Sequence, residues 1–169
     1  MLALFLDIDG VLNRHEELDQ NVMCGRLHPD KIERLNCILE QTGARIVLSS
    51  AWRYLVHRGE MTLTGLEWLL RSHGIHAKKL IGITRPDTMM PSKWDGFDPW
   101  PQEDERGKQI ADFLETFTGM VGVPCSGYAV LDDLDLGITD AGHPFVKIDG
   151  RKGMMDPDAD RVIQLLTIR

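Results

Sequence analysis

Several things are scarce in this sequence, and each scarcity excludes a class of protein. Its 169 residues contain only three cysteines, Cys24, Cys37 and Cys125, widely spaced and with no C-x-x-C pair. An odd, scattered set builds neither a disulfide framework nor a structural zinc site, so a reducing compartment is expected. No apolar run approaches the roughly 20 residues that cross a bilayer. The apolar stretch at the N-terminus has no basic segment before it and meets Asp7 too early to act as a signal peptide, so a cytoplasmic protein is expected. Basic residues are outnumbered, 19 Lys and Arg against 26 Asp and Glu, for a net charge of −7. That balance argues against a broad, non-specific nucleic-acid surface, though not against a local basic site. No internal repeat or low-complexity segment is present.

What is present is ordinary in bulk and ordered in pattern. Hydrophobic residues make up 43% and charged residues 27%, enough for one domain over residues 1–169 with a full core. Short β-rich runs alternate with helical patterns. Leu2–Leu6 is a buried strand, and Pro29 opens a helix with Ile32, Leu35, Ile38 and Leu39 on one face and Gly43 as its cap. Ala44–Leu48 is a second strand, and Thr64 begins a helix with Glu67 three residues on, a capping-box pattern. Leu80–Ile83, Tyr128–Leu131 and Pro144–Ile148 are three further strands. Helices are expected over 104–117 and from Asp156-Pro157 onward, with the acids Asp156, Asp158 and Asp160 at the start of the latter suiting a helix N-terminus. Residues 85–103, rich in Pro, Asp and Met, read as a long loop or small flap. The alternation predicts an α/β fold, a doubly wound, Rossmann-like, mostly parallel sheet of about five strands with no large cap. In such sheets ligands lie beyond the carboxyl ends of the strands. Three of those ends carry polar residues: Asp7/Asp9, Ser49/Ser50 and Asp132/Asp133.

The most chemical stretch is Leu4-Phe5-Leu6-Asp7-Ile8-Asp9-Gly10-Val11-Leu12-Asn13. In extended chain, residues i and i+2 project from one face, so Asp7 and Asp9 repel unless a cation or proton lies between them. Gly10 permits the sharp turn that follows.

Taken together, four clusters resemble the motifs of the haloacid dehalogenase-like (HAD) phosphohydrolase superfamily. They are Asp7-Ile8-Asp9-Gly10, Ser49 after Val47-Leu48, Lys108 in Gly107-Lys108-Gln109-Ile110, and Asp132-Asp133 after Leu131. The resemblance spans nearly the whole chain. It implies that Asp7 is the nucleophile, forming an aspartyl-phosphate, and that Asp9 is the acid and base. It implies Mg²⁺ held by Asp7, the main-chain carbonyl of Asp9, and an acid from Asp132/Asp133. Ser49 would donate to the phosphoryl oxygens, and Lys108, or its neighbour Arg106, would supply positive charge.

The run Leu48-Ser49-Ser50-Ala51-Trp52-Arg53 looks more particularly like the HAD domains of RNA-repair (Swiss Army Knife type) proteins, and distantly like the 3′-phosphatase half of phage polynucleotide kinase. Those resemblances imply a phosphorylated substrate at a nucleic-acid end, a polynucleotide or nucleotide 3′-phosphate. Arg53 would make a bidentate phosphate contact and Trp52 would stack on a base, with Gly10 and Ser50 beside them. Packing of Trp52 and Arg53 against the sheet is the alternative. Arg14, His15, Arg26 and His28 give the loop after the first strand local positive potential. A small-metabolite phosphatase, or a non-catalytic binding domain on the same fold, are the other functional readings.

Overall fold

The computed structural model describes residues 1–18, 25–76, 80–85, 105–121 and 125–168. Its centre is a parallel sheet of five strands: β1 (Leu2–Leu6), β2 (Arg45–Leu48), β3 (Leu80–Ile83), β4 (Gly127–Asp132) and β5 (Phe145–Lys147), in the order β3-β2-β1-β4-β5. The chain builds outward from β1 to β2 and β3, then crosses back to lay β4 on the other side of β1. The carboxyl ends of β1 and β4 therefore flank the point where the strand order reverses, the place where such sheets bind ligands.

Both faces of the sheet are covered, which explains why β1 is unbroken apolar sequence rather than an alternating one. Leu4, Leu6, Ile46, Leu48, Ala129 and Leu131 point to one face. They meet apolar residues of α1 (Pro29–Thr42), α3 (Leu63–Ser72) and α5 (Asp156–Thr167). Ala3, Phe5, Val47 and Val130 point to the other, against Ile110 of α4 (Arg106–Val121) and Ile138. Phe5 meets Phe113 edge to face, with ring centroids 5.6 Å apart. A 3₁₀ turn (Ala51–Arg53) and the single-turn helix α2 (Tyr54–His57) follow β2. No helix among the described residues is long and apolar enough to cross a membrane.

Helix α1 starts at Pro29 and closes on Gly43 at φ 69°, as its sequence predicts. Two helix starts differ from expectation. The cap of α3 is Thr62, whose Oγ1 accepts from the Gly65 amide at 3.0 Å, and Thr64 lies inside the helix. A threonine hydroxyl reaches the amide three residues on, so Thr62 caps two residues earlier than the Thr64/Glu67 spacing suggests. At α5 the capping position is Met155, whose amide donates to Asp158 Oδ2 at 2.8 Å. Asp156 instead accepts from Arg34 Nε at 2.5 Å, tying α5 to α1. The expected flap at 85–103 lies, from residue 86 on, outside the described residues, as does the expected helix start at Asp104.

Candidate active site

The strand register brings the polar ends together. The Asp7 amide donates to the Leu131 carbonyl at 2.9 Å, and the Ser49 amide donates to the Leu6 carbonyl at 2.8 Å. Thr84 extends β3 in the same way, its amide donating to the Leu48 carbonyl at 3.0 Å. Asp7, Ser49, Thr84 and Asp132 therefore line one edge of the sheet, and all four are buried.

Asp7, Asp132 and Asp133 each offer a carboxylate oxygen within 4.8 Å of the other two. Arg106, in the first turn of α4, is the cation among them: its Nη1 lies 2.5 Å from Asp132 Oδ2 and 3.5 Å from Asp7 Oδ1. One guanidinium does not offset three buried carboxylates. Burial raises the Asp7 pKa well above the usual carboxylate range, the charges of Asp132, Asp133 and Asp9 add to the rise, and Arg106 opposes it. Burial likewise raises Asp132 against the pull of Arg106. Surplus buried negative charge with an all-oxygen donor set fits a hard divalent cation. The carboxylate of Asp9 stands apart from this trio and has its own partners. Asn13 Nδ2 donates to its Oδ1 at 2.8 Å and Trp52 Nε1 donates to its Oδ2 at 3.1 Å. Burial raises the Asp9 pKa, and these two hydrogen bonds act in the opposite direction.

The loop after β1 is shaped for close approach. Gly10 sits at φ 79°, and a Cβ there would lie 2.6 Å from both Asp133 Cγ and His15 Nε2. Its amide is taken by Asn13 Oδ1 at 2.8 Å, so Gly10 serves the turn rather than offering a substrate donor. His15 Nε2 lies 2.7 Å from Asp133 Oδ2, and Gly150 closes the other side of that pair, where a Cβ would come 2.4 Å from His15 Cε1. Gly10→Ala is expected to cost about 1–3 kcal/mol through left-handed backbone strain, with collision at Asp133 added. Urea unfolding of the variant beside the parent measures it.

Other expected site residues take different places. Ser49 is buried, and Thr84 Oγ1 donates to its Oγ at 3.4 Å. Ser50 Oγ accepts from the Trp52 amide at 3.4 Å and so caps the 3₁₀ turn. Trp52 is 1% exposed, which leaves no ring face for a base. Arg53 is enclosed as well, its Nη1 donating to the Ser49 carbonyl at 3.0 Å and its Nη2 to Gln109 Oε1 at 3.1 Å, with Tyr54 beneath the guanidinium. Both side chains are built into the wall of the site, contrary to the expected roles in stacking and phosphate binding. The turn after Ser50 aims both inward, Trp52 into the apolar cluster and Arg53 onto the Ser49 carbonyl and Gln109. Lys108 also differs from expectation. Its side chain is 58% exposed, with Nζ 4.0 Å from Glu105. Residues two apart lie on nearly opposite sides of a helix, so Arg106 and Lys108 cannot both face the acids.

Asn13, Thr84 and Gln109 join the site without an expected role, and His15, expected only as part of a basic loop, joins it at Asp133. Asn13 had a legible signal, four residues after Asp9 in a turn-forming stretch. Thr84 and Gln109 had none, because their neighbours come from distant segments.

The reversal point of a doubly wound sheet, carrying a D-x-D-G turn and an opposed pair of acids, defines a HAD-type site. The family described as "HAD domain in Swiss Army Knife RNA repair proteins" matches residues 3–159, and the chain belongs to it. Membership supports a HAD-type phosphohydrolase. Among curated proteins none matches the chain.

Proposed function

We propose that this protein is a Mg²⁺-dependent phosphomonoesterase working through an aspartyl-phosphate on Asp7. The observation that carries this reading is the buried trio Asp7, Asp132 and Asp133 within 4.8 Å, with Asp9 held separately beside it. Asp7, Asp132 and Asp133 would hold the cation, which when bound offsets the repulsion between carboxylate and phosphate.

An Asp7 oxygen attacks phosphorus, the bond to the leaving oxygen breaks, and the Asp9 proton passes to that oxygen. The Asp9 carboxylate then takes a proton from water. The water oxygen bonds to phosphorus and the Asp7–phosphate bond breaks, restoring both acids. Ser49 contributes its hydroxyl proton to a phosphoryl oxygen, since Thr84 donates to its lone pair. Arg106 supplies the positive charge.

The substrate we assign is a polynucleotide or nucleotide 3′-phosphate, on the strength of the family description. A panel of 3′-phosphorylated oligonucleotides, mononucleotides, sugar phosphates and an aryl phosphate, each with and without Mg²⁺, tests both parts. Phosphate release that requires Mg²⁺ and is lost in Asp7→Asn supports the enzyme. Equal release from both proteins, or none from either, overturns it. Oligonucleotide turnover no faster than aryl phosphate turnover overturns the substrate and leaves a small-metabolite phosphatase.

A further inference from the structure

We propose that Trp52 and Asn13 are positioning residues that hold the Asp9 carboxyl by two of its lone-pair directions and keep its proton on the remaining ones, free for the leaving group; this rests on the acid–base role assigned to Asp9 above. An indole nitrogen and an amide nitrogen donate hydrogen bonds and accept none. Each occupies one Asp9 oxygen, Asn13 Nδ2 on Oδ1 at 2.8 Å and Trp52 Nε1 on Oδ2 at 3.1 Å.

The orientation of the Asn13 amide is not a free choice. The Gly10 amide donates to the other end of the same side chain, Asn13 Oδ1, at 2.8 Å. An N–H must face an oxygen there, so the amide nitrogen must face Asp9. Trp52 is fixed from its own side. Its ring is enclosed in the apolar cluster with Leu48, Leu66 and Leu70, the Ser50 hydroxyl holds its backbone, and Nε1 is its only side-chain polar atom.

The consequence is directional. A carboxyl group offers about four lone-pair positions, of which these donors take two. When Asp9 carries a proton, neither partner can accept it, so the O–H must lie along one of the two remaining directions. When Asp9 is ionised, the same two donors still bind, and the carboxylate keeps its rotamer while it waits for water. Acid and base thus share one geometry, with no side-chain rearrangement between the two halves of the cycle. This gives the Ser49-Ser50-Ala51-Trp52-Arg53 run a different use from base recognition. Its tryptophan reaches the acid rather than the substrate.

The test separates positioning from packing by the leaving group. The ratio kcat/KM covers the steps up to transfer of the phosphoryl group to Asp7, where Asp9 acts only as the acid. An alkyl leaving oxygen needs that proton and a p-nitrophenolate scarcely does. Trp52→Phe, which keeps an aromatic ring but removes the N–H, is expected to lower kcat/KM for an alkyl phosphate about tenfold more than for p-nitrophenyl phosphate. Asn13→Ala should bias the loss the same way, and Asp9→Asn should set its upper limit. Equal losses on both substrates in Trp52→Phe and Asn13→Ala, with a biased loss in Asp9→Asn, overturn the positioning role and leave the acid intact. An unbiased loss in Asp9→Asn overturns the role of Asp9, and the positioning role with it.

A second measurement needs no turnover. In ¹⁵N–¹H spectra the Trp52 indole N–H should exchange slowly with solvent in the parent and move upfield in Asp9→Ala. An indole resonance indifferent to Asp9→Ala overturns the proposal, even for a protein that hydrolyses nothing.

Discussion

Asp7→Asn is expected to abolish phosphatase activity and, in the absence of metal, to make the protein more stable. The first effect follows from chemistry: an amide does not form the acyl phosphate, so kcat falls by about 10³-fold or more. The second follows from the site's charge. An aspartate in unfolded chain ionises near 3.8, whereas burial beside Asp132 and Asp133 holds Asp7 well above that in the folded protein. A carboxyl whose folded pKa is raised binds its proton more tightly in the folded state. Folding is therefore weakened as pH climbs from about 3.8 through the folded value, and the whole penalty is present above it. Asparagine never carries the charge, so Asp7→Asn escapes the penalty at neutral pH and gains nothing from this cause below the unfolded pKa. A gain of roughly 1 kcal/mol appears as a Tm rise of about 2–4 °C for a chain of this length. Mg²⁺ should raise the Tm of the parent through the same repulsion, and raise that of Asp7→Asn less. Thermal unfolding with EDTA or Mg²⁺, at neutral pH and near pH 3.5, reads all of this. A destabilised Asp7→Asn at neutral pH without metal would contradict the picture of surplus buried negative charge.

What could be read from the sequence and what could not divide along a physical line. The order of strands and helices was legible because both faces of the sheet are buried, which writes strands as apolar runs and α1 as an Ile32/Leu35/Ile38/Leu39 stripe. The acids at Asp7, Asp9, Asp132 and Asp133 were legible because strand ends in a parallel sheet converge whatever the loops do. The roles of Trp52 and Arg53 were not. Both depend on where the turn after Ser50 aims its side chains, and a tryptophan that stacks on a base has the same sequence as one that hydrogen-bonds to an acid. Local capping rules failed at α3 and α5 for a related reason. Thr62 and Thr64 are equally good caps by type, and only the path of the chain out of α2 selects the first.

The choice between Arg106 and Lys108 is the sharpest case, and it carries the second large effect. Sequence position does not decide it, because both residues lie in the first turn of α4. The docking of that turn decides it. Gly107 packs so closely on the following loop that a Cβ would come 2.1 Å from the Gly137 carbonyl oxygen. His143 Nε2 donates to the Gly107 carbonyl at 2.7 Å, which leaves His143 Nδ1 to accept from the Tyr128 hydroxyl at 2.9 Å. With Gly107 pinned on that side, Arg106 turns inward to Asp132 and Asp7, and Lys108 turns outward to Glu105. Arg106→Ala is therefore expected to lower kcat/KM by about 10²–10³-fold, the usual cost of losing one preorganised charge-stabilising donor. The loss from Lys108→Ala should be at least tenfold smaller. Arg106→Ala also strands Asp132 in the interior without its cation, a change that typically costs about 3–5 kcal/mol. Its metal-free Tm should fall steeply, and Mg²⁺ should recover part of the loss by replacing the missing charge. Arg106→Lys keeps the charge without the planar fork and should lie between parent and alanine variant. Losses in Lys108→Ala as large as those in Arg106→Ala would assign the phosphate-facing charge to Lys108 and leave Arg106 a structural partner of Asp132 alone.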